Sequence, residues 1–291
     1  MARVVSSLVL GPIVLLAIYL GPPASDGLLI AAAAVLAWEW GRVCGRQRGF
    51  GLAEGTLVAA SAATLGAGAV AGIQIACVAA VLGALLSLLA ATWDGRRPAS
   101  RERDGAGRLP ADRLVLWFGF GLFYVALPLL ALQWLRGPAG TGGAAAAGAG
   151  ASAGGLEVLR LFWLIGLVWA TDIGAFFVGS TLRGPKLWPR ISPNKTWSGM
   201  VGGLAAAGLL GAGFAIAAAP EALWALVVLS VLLSLVAQAG DFFESGVKRH
   251  FGAKDASGLI PGHGGLLDRV DGLLAATLAL AFLAWLGKSP L

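Results

Sequence analysis

Between residues 240 and 272 the chain sets acids, bases, glycines and a histidine close together: Asp241, Ser245, Lys248, Arg249, Lys254, Asp255, His263, Gly264, Gly265, Asp268, Arg269 and Asp271. Carboxylates offer hard oxygens, the donors that Mg²⁺ takes. Lysine and arginine neutralise phosphate oxygens, and glycines let backbone N–H groups come close to an anion. Together these types suit a nucleotide or phosphoryl-transfer site, where metal and cations offset the repulsion between anions. Asp268 and Asp271 are three residues apart, hence on one helix face. Asp241, read as the end of the preceding apolar helix, would join them in a hard-oxygen pocket. Alone, Asp268 would read as a helix N-cap or first-turn acid, and the cations would read as topology signals. Their combination favours the phosphate site.

A second polar stretch precedes it. Asp172 follows the apolar run LFWLIGLVWAT, and an acid at such a place is a functional candidate by default. Downstream, RISPNKTWSG supplies Arg190, Ser192, Lys195 and Thr196 just before another apolar run. Ser and Thr could equally cap the helix that begins there.

The elements that must carry these residues are membrane helices. Of 291 residues, 58% are hydrophobic and 12% charged, against about a quarter charged in a soluble domain. A spanning helix needs roughly 20 apolar residues, and nine candidates read at about 4–21, 27–43, 54–71, 73–92, 113–135, 158–180, 199–219, 222–240 and 270–287. The third and fourth are weakly separated near Gly66 to Gly72. Nine spans sort 18 of the 21 Lys and Arg to one side, leaving only Arg136, Arg160 and Lys288 on the other. That bias places the basic side, the N-terminus and both polar stretches in the cytoplasm. The net charge of +6 then belongs to loops beside a lipid bilayer, and nucleic acid is not a partner. The expected fold is all-α, a polytopic integral membrane protein of about nine transmembrane helices with a cytoplasmic-facing polar active site.

Smaller features fit that frame. Arg3 and the apolar stretch after it have the form of a signal peptide, but the run from Val4 to Leu20 is long enough to stay as a span. The uncharged Gly/Ala stretch 137–155 reads as an outer connector. It divides the chain into N-terminal membrane helices and loops, 1–156, and a C-terminal catalytic region, 157–291. Six arginines in and beside the 94–113 loop serve first as a topology signal. Cys44 and Cys77 form neither a disulfide framework nor a metal cluster. Glu39 is read as structural, paired with Arg42 one turn on.

The run SGVKRHFGAKDASGLIPGHGGLLDRVD, residues 245–271, resembles the signature of the phosphatidate cytidylyltransferases, also called CDP-diacylglycerol synthases. All its defined positions match, from Ser245, Lys248 and Arg249 through Lys254, Asp255, Ser257, Ile260, Pro261 and His263 to Gly264, Gly265, Leu266, Asp268, Arg269 and Asp271. The stretch TDIGAFFVGSTLRGPKLWPRISPNKTWSGMVGG resembles the family's second block, with Asn194 where a Lys is usual and Ser198 where a Glu is usual. The likeness covers roughly residues 160 to 285.

The resemblance implies a membrane enzyme, usually dimeric, that transfers CMP from CTP to phosphatidic acid, giving CDP-diacylglycerol and pyrophosphate in phospholipid biosynthesis. It implies Mg²⁺ on Asp241 and Asp268, and admits a second, monovalent ion such as K⁺. Asp271 and Asp255 would support the metal or orient cations, and Lys248, Arg249, Lys254 and Arg269 would bind phosphates. Ser192, Lys195, Thr196, Ser245, His263, Gly264 and Gly265 would contact substrate. His263 is not needed as a base, because a phosphate monoester is largely dianionic above pH of about 6. A bacterial inner-membrane location follows. A related enzyme phosphorylating a lipid alcohol from CTP would differ in product, a lipid monophosphate and CDP.

Overall fold

The computed structural model describes residues 2–45, 51–96, 111–137, 153–260, 262 and 264–287. Nine α-helices lie in the described residues: α1 (Ala2–Leu20), α2 (Ala24–Cys44), α3 (Leu52–Ala71), α4 (Ile73–Arg96), α5 (Ala111–Leu135), α6 (Ala153–Leu182), α7 (Trp197–Ala218), α8 (Leu223–His250) and α9 (Leu267–Trp285). Each expected span falls on one of them. Seven, α2 to α8, are long and apolar enough to cross a membrane; α9 carries Asp268, Arg269 and Asp271 in its first turns. Helices dominate because a backbone in lipid must satisfy its own hydrogen bonds. Large apolar side chains point outward along the bundle, among them Phe176, Leu209 and Trp224, as lipid-facing surfaces require.

The weak boundary between the third and fourth spans is settled by Gly72. Its φ of +85° is a conformation that side-chain-bearing residues avoid, and it ends α3 and lets α4 begin at Ile73. α6 and α7 pack closely because glycines face each other: a Cβ on Gly174 would come 2.8 Å from the Gly202 carbonyl oxygen. Small residues at such crossings let backbones approach.

Two expectations change. The eighth span, expected to end at residue 240, continues as helix to His250. Asp241 therefore does not terminate it; the polar stretch FFESGVKRH adds turns in which Glu244 and Lys248 pair four apart and basic residues face the negative end of the helix dipole. Within the otherwise helical fold, the 186–196 stretch forms an antiparallel hairpin, β1 (Lys186–Trp188) and β2 (Ser192–Thr196), pairing Lys186 with Thr196 and Trp188 with Ser192. Pro185, Pro189 and Pro193 exclude helix there.

Buried apolar residues form two clusters. One gathers α2, α3, α4 and α5 and reaches Val247 of α8 and Leu267 and Leu274 of α9. The other gathers α6, α7, α8 and α9 with the end of α5. α8 and α9 belong to both, so the polar stretch between them, residues 251–266, is anchored on both sides.

Candidate active site

Asp268, in the first turn of α9, is held from three directions. Its Oδ1 accepts from the Lys248 ammonium at 2.5 Å. Its Oδ2 accepts from the Ala256 N–H at 3.0 Å and the Gly265 N–H at 2.8 Å. One acid thus joins the end of α8, the middle of the loop and the start of α9. Its side chain is 9% exposed. Lys248 also ion-pairs with Glu244 at 2.5 Å. The loop is closed by a bond from the Ile260 N–H to the Gly264 carbonyl, 2.9 Å, and Gly264 takes a φ of +84°.

The same loop is gripped from far away in sequence. Glu39 of α2 is fully buried. Its Oε1 accepts from the Ser257 hydroxyl at 2.5 Å and the Leu266 N–H at 2.9 Å, and its Oε2 from the Leu267 N–H at 2.6 Å. Gly265 makes room, since a Cβ there would lie 2.6 Å from Glu39 Oε1. The expected Glu39–Arg42 pair is therefore corrected: the carboxylate serves the loop and the backbone N–H groups that open α9, and the Arg42 guanidinium lies over the Trp38 ring, 4.9 Å from its centroid.

Asp241 lies midway along α8 in a looser setting. It pairs with Lys195 of β2 and accepts from Ser245, one turn on, at 3.4 Å. The side chains of Lys195 and Asp241 are 29% and 33% exposed. The hairpin is what brings Lys195 here, and it is tied to α8 by Arg249, whose Nε donates to the Ile191 carbonyl at 3.4 Å. Between the two acids lies a chain of electrostatic neighbours. Asp271 feels Asp241, Asp172 and Lys195, Asp172 feels Asp241, Lys195 and Arg269, and Glu244 feels Asp271 and Asp268. Such a grouping of carboxylates, lysines and arginine can bind phosphates and a cation at one end of the helix bundle.

A model of the cytidylyltransferase family matches residues 1–286. The chain belongs to this family. It is 50% identical over 167 residues to a phosphatidate cytidylyltransferase of Brucella suis biovar 1 (strain 1330), a match covering 56% of this chain and 55% of the relative. Against the protein of that name from Bacillus subtilis (strain 168) it is 44% identical over 124 residues, covering 42% of this chain and 46% of the relative. Against that of Staphylococcus aureus (strain COL) it is 44% identical over 130 residues, covering 41% and 46%. The chain spans about half the length of the curated relatives it matches.

Within this cytidylyltransferase-family fold, the sequence-named residues separate into groups. Lys195, Asp241 and Ser245 meet; Lys248, Gly265 and Asp268 meet. Asp268 and Asp271 share α9 but serve different neighbours: Asp268 takes Lys248 and the loop, whereas Asp271 accepts from the Gly272 N–H at 2.8 Å and interacts electrostatically with Asp241 and Asp172. Arg269 is exposed at the start of α9, and Lys254 and Asp255 are exposed on the loop. Ser192 pairs with Trp188 in the hairpin. Thr196 is the N-cap of α7, accepting from the Gly199 N–H at 3.1 Å. His263 lies outside the described residues. Sequence reasoning missed Glu244 and the reach of Glu39. The first was signalled by its spacing, three after Asp241 and four before Lys248; the second carried no local signal.

The donor set suits a divalent cation. Asp172, Asp241, Glu244, Asp268 and Asp271 set five carboxyl groups near Lys195, Lys248 and Arg269, oxygen donors of the kind Mg²⁺ takes. Glu244 Oε1 is buried without a hydrogen-bond partner. Among the described residues no three His, Cys, Asp or Glu side chains are grouped so as to hold a metal ion. Mg²⁺ does not need such a cage, because one or two carboxylates plus substrate phosphates and water complete its shell.

Proposed function

We propose that the chain transfers CMP from CTP to phosphatidic acid, forming CDP-diacylglycerol and releasing pyrophosphate in phospholipid biosynthesis. The observation that carries this reading is the pair of lysine–carboxylate contacts, Lys195–Asp241 and Lys248–Asp268, at one end of apolar helices in a family whose similar members are named for that reaction. A phosphate oxygen of phosphatidic acid attacks the α-phosphorus of CTP. A new P–O–P linkage forms, the bond from the α-phosphorus to the bridging oxygen breaks, and pyrophosphate leaves with the electron pair. The attacking oxygen is already anionic near neutral pH, so no general base is required.

In this reading Asp241 and Asp268 hold Mg²⁺, with Asp271 and Asp255 in support and room for a monovalent ion such as K⁺. Bound there, the metal would neutralise and orient phosphate oxygens. Lys195, Lys248, Arg249, Lys254 and Arg269 counter the charge of two anionic substrates. Ser192, Thr196, Ser245, His263, Gly264 and Gly265 form the substrate walls, Thr196 through the helix start that it caps. The catalytic region is 157–291, its basic loops and the N-terminus face the cytoplasm of a bacterial cell, and the protein works as a homodimer in the inner membrane.

The test uses purified protein in liposomes with phosphatidic acid and CTP labelled at the α-phosphate. Label entering the lipid only with Mg²⁺ supports the whole reading. Transfer without divalent metal removes the Mg²⁺ assignment. If a relative named for the activity works in parallel and this protein labels no lipid, the function itself is wrong.

A further inference from the structure

A cavity of about 400 Å³ opens between the end of α2, the start of α3 and the 251–266 loop, lined in part by Trp38, Arg42, Gly45, Glu54, Asp255 and Ser257. That volume is in the range of small-molecule sites. Two acids, a guanidinium and an indole meet in it, and none of Trp38, Arg42 or Glu54 takes part in the reaction argued above. We infer that this cavity holds the cytosine base of the nucleotide. The inference rests on the CTP reading and adds the residues that select the base.

Position is the first support. Asp255 and Ser257 wall the cavity, and between them the Ala256 N–H donates to Asp268 at 3.0 Å. Asp268 in turn bonds Lys248 at 2.5 Å. The cavity and the phosphate-binding group are thus back to back across one short piece of loop. A nucleotide whose base enters between α2 and α3 carries its phosphates out over the loop at the exposed Lys254, adjacent to Asp255 of the cavity wall.

Chemistry is the second. Cytosine presents an amino donor at N4 beside acceptors at N3 and O2, and a carboxylate is the natural partner for that amino group. Glu54 is 4% exposed and fixed in place, with Oε2 accepting from the Gly51 N–H at 2.5 Å. Its Oε1 faces Gly45: a Cβ there would come 2.4 Å from that oxygen, so any larger residue at 45 would close this wall. Arg42 is exposed and interacts electrostatically with Glu54, which puts a donor group for O2 and N3 near the acceptor for N4. The Arg42 guanidinium now covers one face of the Trp38 ring, and a base stacks on that face once Arg42 turns to the base's O2 and N3 edge. Uracil would turn its O4 acceptor towards the carboxylate, and two acceptors in opposition reject it. Glu54 selects cytosine, Arg42 orients it and Trp38 stacks it.

The experiment measures equilibrium binding of CTP and UTP, and transfer kinetics, for wild type, Trp38→Ala, Arg42→Ala and Glu54→Gln in detergent with Mg²⁺. Glu54→Gln keeps an oxygen for the Gly51 cap, and Arg42→Ala alters an exposed side chain, so both should fold; thermal unfolding checks this. Wild type should prefer CTP over UTP by about 100-fold or more, since sites built on a specific hydrogen bond reject analogues strongly. Glu54→Gln should cut that preference by about 10-fold or more. Arg42→Ala and Trp38→Ala should weaken CTP binding by about 10-fold, with the KM for phosphatidic acid within about twofold of wild type. Folded variants with unchanged CTP affinity and unchanged preference would overturn the inference, as would a change confined to the KM for phosphatidic acid. Selective CTP binding that these variants impair, without lipid labelling by wild type, would leave the pocket standing and remove the proposed reaction. Wild type that binds no CTP would remove both.

Discussion

The acids at 268 and 241 are held in opposite ways in one site. Asp268 is nearly enclosed, and its oxygens are taken by an ammonium and two backbone N–H groups from different elements. Asp241 is a third exposed, with one lysine that is nearly as exposed and a long bond to Ser245. A charge held in an enclosed network is expensive to disturb, because loss of one partner leaves others buried and unpaired. An exposed pair contributes little to stability and exchanges partners readily. The contrast separates two acids that the proposed reading uses together: Asp268 also organises the loop on which the site is built, so only part of its role is metal binding, whereas Asp241 is held by Lys195 and Ser245 and can trade Lys195 for the metal.

The largest effect should come from Asp268→Asn. The amide would turn a donor towards the Ala256 or Gly265 N–H or leave Lys248 without its charge. Turnover should fall by about 10³-fold, and the variant should also lose about 3 kcal/mol of stability, read as earlier thermal unfolding in detergent. Asp241→Asn should cost turnover about 10²-fold while changing stability by less than about 1 kcal/mol, and should raise the Mg²⁺ concentration needed for half-maximal rate. If Asp241→Asn unfolds as early as Asp268→Asn, the contrast between the two acids is wrong. An unchanged Mg²⁺ requirement in both would instead move the metal elsewhere in the carboxylate group, with Asp271 and Glu244 next in line.

Glu39→Gln probes the loop alone. It retains one acceptor oxygen but sets an amide donor against the Ser257 hydroxyl and the Leu266 N–H, or against the Leu267 N–H. A loss of about 1–3 kcal/mol is expected, with faster tryptic cleavage at Lys254 and turnover lower by about 10-fold as the loop loosens. Unaltered cleavage would mean that Asp268 alone holds the loop.

Glu39 also marks where reading the sequence stops. Its partners lie 218 to 228 residues away, and no local pattern announces a pairing at that distance; the nearest cation, Arg42, offered a plausible but wrong answer. The nine helices of the described residues were legible as long apolar runs, though only seven of them are long and apolar enough to cross a membrane. The last turns of α8 were not, since FFESGVKRH has the composition of a loop and is helical through the Glu244–Lys248 pair and its packing against α9. The signature stretch pointed to the family, yet it did not reveal that Asp268 is bound to the loop while Asp271 bonds its neighbour Gly272 and interacts electrostatically with Asp241. That division depends on how α9 is rotated, which the core sets.

The two departures in the second block should have the smallest effects, and the hairpin shows why. Asn194 is exposed on β2, and the contact it makes with Lys186 uses its backbone carbonyl, 3.5 Å from the ammonium. Asn194→Lys therefore adds a charge in water without breaking a bond, and turnover and stability should stay within about twofold and 0.5 kcal/mol. Ser198 is different. Its hydroxyl donates to the carbonyl of Arg183, which has a φ of +55°, and it lies 3.1 Å from the Thr196 hydroxyl that caps α7. Ser198→Ala should cost about 1 kcal/mol and loosen the turn between α6 and β1. Ser198→Glu, which restores the usual residue, loses the same bond but places an acid in the first turn of α7, worth about 0.3–1 kcal/mol in return. The glutamate variant should accordingly be more stable than the alanine variant by that margin in thermal unfolding. Equal unfolding temperatures would show that the Arg183 turn, rather than the charge at the helix start, sets the stability of the hairpin that carries Lys195 to Asp241.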